Sequence, residues 1–93
     1  MSRKARKQRV VYLWVTTETD GEALVRCTVA IRQAGICCKL VGSERVIQSQ
    51  FGPKIRMDIV LVKPPLEDDD HVVLDPNDDH TIKDAKDFWA EVK

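Results

Sequence analysis

Cysteines at positions 27, 37 and 38, histidines at 71 and 80, and clustered acids are the residues that could do chemistry. Cys37 and Cys38 are adjacent, and so lack the C-x-x-C spacing that lets two thiolates share zinc or exchange disulfides. An odd cysteine count without a secretory leader also argues against a disulfide framework. Of the adjacent pair, one thiol is expected to point into the core and the other outward, where it is open to reagents. Asp75, Asn77 and Asp79 open like an EF-hand calcium loop. The pattern then fails at His80, where glycine makes the turn, and at Lys86, where a bidentate glutamate is needed. Both histidines lie in acidic segments, which favour imidazolium over a neutral metal ligand. There is no G-x-S-x-G elbow, Walker loop or dinucleotide-type glycine pattern, because Gly35, Gly42 and Gly52 stand too far apart. The expectation is a protein that is not an enzyme, with no catalytic residue, no metal site and no cofactor.

Binding offers more. Gly42, Ser43, Arg45, Gly52 and Lys54 bring pliable backbone and positive charge into one polar stretch, 42–54. Backbone N–H groups with Arg or Lys can hold a small anion or a partner there; a solvated connecting loop is the plainer alternative. A second candidate is the basic arm: Arg3, Lys4, Arg6, Lys7 and Arg9 supply phosphate-binding charge for a nucleic acid. Tyr12 and Trp14 would project from one face of a strand beside it, as a stacking platform does. Aromatics buried in a core or a dimer interface satisfy the same pattern.

The charge is unevenly spread. Fifteen bases and fifteen acids cancel over the chain of 93 residues. Residues 1–9 nevertheless hold five bases and no acid, 10–66 seven bases and five acids, and 67–93 three bases and ten acids. A basic arm, a near-neutral body and an acidic last third result. This layout excludes only a uniformly charged surface, and leaves open contact between the two ends. With 43% apolar and 32% charged residues the chain is globular in composition. Its length suits one domain, here 10–93, preceded by a flexible arm, 1–9. No apolar stretch is long enough for a membrane helix and the basic start leads into no signal-peptide core, so a cytoplasmic protein is expected.

The elements that must position these residues are legible in outline. Val10 to Thr16 is a β-branched and aromatic run, read as a central strand with Val11, Leu13 and Val15 on one face. Thr19 and Glu22 have capping-box spacing. Leu24, Cys27, Ile31 and Ala34 then mark a helix face, and Gly35 closes the helix. A second strand follows from Ile36 to Val41, completing a β-α-β unit. Ile55 to Lys63 reads as a long third strand stopped by Pro64-Pro65, and His71 to Leu74 as a brief one. Asp75 to Asp79 is turn and helix-start chemistry, leading to a last helix with Ile82, Ala85, Trp89 and Val92 on one face. The order β-α-β-β-(β)-α predicts an α+β, ferredoxin-like two-layer sandwich. Its two helices would lie on one face of a mostly antiparallel sheet.

Val11–Val15, Glu22-Ala23, Ala34-Gly35-Ile36 and Cys38 to Gly42 together resemble a family of small prokaryotic signal-transducing proteins with a PII-like fold. The similarity extends in outline to Ile59–Val62 and Ile82–Trp89, and covers about half of the chain. The basic arm, the Pro-Pro-acidic segment 64–70 and the strand at His71–Leu74 depart from the family's pattern. The resemblance implies a ferredoxin-like regulatory module in signal transduction that binds a protein or small ligand, often as a dimer or larger oligomer. It carries over no catalytic residue. A homodimer or another protein partner is expected, with a small anionic ligand or a nucleic acid as further possibilities and no membrane.

Overall fold

The computed structural model describes residues 9–67 and 71–90. Most of the arm, residues 1–8, and Val92 of the last helical face therefore lie outside the described residues. The β-branched run forms β1 (Val10–Val15), whose side chains alternate between buried and half-buried. Val11, Leu13 and Val15 enter the core, while Val10, Tyr12 and Trp14 take the opposite face.

Helix α1 (Gly21–Gln33) follows, capped by Asp20, whose Oδ1 accepts from the Glu22 and Ala23 N–H groups. The expected capping residue, Thr19, instead accepts from the Thr16 N–H at 2.9 Å and shapes the turn before the helix. Asp20 wins because it stands directly before the first helical residue, where its carboxylate also meets the positive helix end. Leu24, Cys27 and Ile31 are buried on one face as the spacing requires. Gly35, at φ 82°, ends the helix in the left-handed region that a Cβ disfavours.

Strands β2 (Cys38–Gly42), β5 (Ile59–Val60) and β6 (His71–Leu74) join β1 in one four-stranded sheet of order β5-β2-β1-β6. Each pairing in it is parallel: β1 with β2, β1 with β6, and β2 with β5. This overturns the mostly antiparallel ferredoxin-like sheet. The reason lies in residues 43–58, which fold as a separate antiparallel hairpin, β3 (Val46–Gln48) and β4 (Lys54–Arg56). The hairpin takes the place of a crossover helix and returns the chain so that β5 runs alongside β2 in the same direction. The long third strand is accordingly two short ones, split at Met57-Asp58.

Helix α2 (Thr81–Ala90) packs against α1 and β6. Ala85, Leu24, Cys27 and Ile31 share a single buried cluster with Val11, Leu13, Val15, Cys38, Leu40, Ile47 and Met57. Both helices and the hairpin's inner face thus cover one side of the sheet. No helix among the described residues is long and apolar enough to cross a membrane.

The arm's last residue is tied down. Arg9 donates from Nη1 to the Phe88 carbonyl at 2.9 Å, and its guanidinium lies 4.9 Å from the Phe88 ring centroid. A cation on the last turn of a helix meets the negative end of the backbone dipoles. Arg9→Ala is expected to cost about 1 kcal/mol in urea unfolding, where Arg9→Lys recovers the charge but less of the ring contact.

Candidate functional site

The five loop residues chosen for an anion site are dispersed. Gly42 is buried at the end of β2, where a Cβ would collide with the Ile47 Cδ1 and stand 3.0 Å from Met57 Sδ. Gly52 lies in the hairpin tip, and a Cβ there would stand 2.9 Å from the Gly21 Cα. Both glycines serve close approach. Lys54 pairs with Gln48 near the tip, whereas Arg45 precedes β3 at the hairpin's base, its carbonyl accepting from the Met57 N–H. Ser43 is exposed in the bend between β2 and β3.

The tip is bound firmly to the start of α1. Gln50 donates its N–H to the Thr19 carbonyl at 2.7 Å, and its own carbonyl accepts from the Gly21 N–H at 2.8 Å. Ser49, buried, donates from Oγ to the Pro53 carbonyl, and Gln48 Nε2 donates to the Gly52 carbonyl at 2.7 Å. With Asp20 serving Glu22 and Ala23, the first N–H groups of α1 are all engaged within the chain. That helix end therefore has no donor left for an anion.

What the docked tip presents is Phe51. Its side chain is 86% exposed and its backbone sits at φ 58°, the left-handed region where a Cβ costs about 1–2 kcal/mol. Beside it, Gly21, Glu22, Val25, Arg26 and Pro53 line an open cleft of about 620 Å³. Val25 and Val29 continue the apolar stripe along α1, 48% and 47% exposed. Sequence reasoning missed this surface, because one phenylalanine in a polar loop has no periodicity. Its available signal was an aromatic in a Gln-Phe-Gly-Pro turn.

A parallel sheet offers another place, the crevice at the carboxyl ends where strand order reverses, here between β1 and β6. Asn77 closes it. Its Oδ1 accepts from the Asp20 N–H at 2.8 Å, and its Nδ2 donates to the Glu18 carbonyl at 3.1 Å.

Of the nucleic-acid candidates, Arg3, Lys4, Arg6 and Lys7 lie outside the described residues, and Arg9 is committed to Phe88. Tyr12 and Trp14 do share the sheet face away from the helices, half-buried. Tyr12 meets His71 edge-on, the ring centroids 5.2 Å apart, and His71 Nε2 is bonded to the Leu66 carbonyl. The platform is thus partly used for packing. Among the described residues no group of three or more His, Cys, Asp and Glu is arranged to hold a metal ion. No family model, curated protein or solved structure matches the chain.

Proposed function

We propose that the chain is a small non-enzymatic interaction module that works as a two-fold dimer through the outer face of α1 and the hairpin tip. One observation carries this reading: an exposed phenylalanine, held in a costly backbone conformation on a pinned loop, beside an apolar helix stripe. Rigidly presented aromatics are the usual anchors of protein interfaces, because little entropy is lost when they bind.

The charge pattern of α1 favours a second copy as the occupant. In an antiparallel helix pair about a two-fold axis, setting Val25 against the partner's Val29 brings Glu22 opposite the partner's Arg32. The symmetry repeats both pairs, as an isologous interface requires. Arg32 is exposed and already steadied, donating to the Cys38 carbonyl at 2.9 Å and to Asp58 at 3.5 Å.

Sedimentation equilibrium decides it. The wild-type chain is expected to dimerise, with Phe51→Ala and Glu22→Arg both shifting it to monomer. A wild-type chain that stays monomeric at high concentration overturns the proposal. Phe51→Gly gives a separate check: it removes the left-handed penalty along with the anchor. Monomer stability in dilute urea titrations is expected to stay level or rise by up to about 1 kcal/mol while association is lost.

A further inference from the structure

The base of the hairpin holds two arginines, Arg45 and Arg56, that form no ion pair among the described residues. Val46 and Arg56 are register partners, and Arg45 lies one step away, its carbonyl fixed by the Met57 N–H at 2.8 Å. Both residues line one concavity of about 220 Å³, shared with Met57, Asp58 and Val60. Met57 is buried, so the floor is fixed core rather than loop.

Asp58, the acid that lines the concavity, is occupied. Its Oδ2 accepts from the Leu40 N–H at 2.8 Å, while its own N–H donates to the Leu40 carbonyl at 2.9 Å. The same oxygen meets Arg32 at 3.5 Å. This clamp replaces a missing backbone partner at the short edge strand, and Arg32 offsets its charge. Arg56 sits opposite Val46, and neither arginine finds an ion pair among the described residues. Lys54 adds a third cation along the exposed face of β4.

We propose that Arg45 and Arg56 form a binding site for a phosphate-type oxyanion carried by a small ligand. Two guanidinium forks can each offer paired N–H donors to a tetrahedral dianion, which a lysine cannot do. The pocket is large enough for a phosphoryl group, and Met57 with Val60 provides an apolar wall for whatever the phosphate is attached to. This site lies apart from Phe51, Val25 and Val29, and Arg32, which touches Asp58, links it to the proposed α1 interface.

The test is a titration of the full chain with inorganic phosphate and with phenyl phosphate at constant ionic strength, followed by amide and arginine side-chain NMR. Saturable shifts confined to residues 45–46 and 56–58 are expected, and Arg45→Gln or Arg56→Gln each weakens binding by about tenfold. Lys54→Gln leaves binding unchanged. Tighter binding of phenyl phosphate supports the site together with its apolar wall; equal binding supports the oxyanion cradle alone. Shifts that never saturate, or an equal loss in Lys54→Gln and Arg56→Gln, overturn the proposal, because either result means diffuse attraction to a basic hairpin.

Discussion

Gly21→Ala is expected to destabilise the protein by about 2–3 kcal/mol, although the same exchange in an ordinary exposed helix is neutral or favourable. Gly21 begins α1, and a Cβ placed there would stand 2.5 Å from Ser49 Oγ and 2.8 Å from the Gly52 Cα. Neither neighbour can step aside cheaply. Ser49 is buried and bonded to the Pro53 carbonyl, and Gly52 is backbone. Relief comes only by lifting the hairpin tip from the helix, which breaks the two main-chain bonds through Gln50. Gly52→Ala acts on the same contact from the other side, since its Cβ would stand 2.9 Å from the Gly21 Cα. The double variant should therefore cost much less than the sum of the two, a coupling that urea titrations of all four proteins measure directly. Additive losses would mean that the two glycines are not one contact. Because Phe51 rides on this tip, Gly21→Ala is also expected to weaken dimerisation without touching any interface side chain.

This contact explains why the fold could be read from sequence only in part. Where a side chain's neighbours are local, the reading succeeds: alternation along Val10–Val15, the Leu24-Cys27-Ile31 face and the left-handed Gly35 all follow from one-dimensional periodicity or backbone sterics. Strand direction has no such signature. An Ile-Val pair looks the same whether it runs with or against its neighbour, and only the connection before it decides. Residues 43–58 show no helical period, so nothing marks them as a crossover, and the run from Ile55 to Lys63 reads as one strand across the break at Met57-Asp58. Glycines carried a similar ambiguity. Gly42 and Gly52 suggested a flexible anion loop, but their missing Cβ atoms serve tight packing against Ile47 and Gly21. Of the cations in that stretch, Arg45 lines a concavity together with Arg56, while Lys54 lies toward the hairpin tip. Arg9, the last residue of the basic arm, contacts the Phe88 carbonyl and ring on α2, while residues 1–8 and 91–93 lie outside the described residues.

Raising the pH from below 9 to above 11 is expected to remove about 2–3 kcal/mol of stability through Cys38 alone. Of the adjacent thiols, Cys38 points into the core at 5% exposure, while Cys37 is half-exposed. Burial pushes the Cys38 thiol up to about 11 from 9.0, opposed by Arg32 and reinforced by Asp58, Cys37 and Cys27. Below pH 9 the thiol is protonated whether the chain is folded or not, and pH has no leverage. Between 9 and 11 the unfolded chain releases the proton while the native state keeps it, so the unfolded state is favoured increasingly as pH rises. Burial raises Cys27 as well, and its contribution has the same sign. Urea titrations across this range on wild-type and Cys38→Ala separate the two. The variant loses some packing at every pH but should show a distinctly flatter alkaline decline, and parallel declines would mean that Cys38 ionises as readily folded as unfolded. The same protonation keeps Cys38 a poor nucleophile near neutrality, because a thiol must ionise to react. Iodoacetamide should accordingly label Cys37 in the native protein, and reach Cys38 only at the rate at which the core opens.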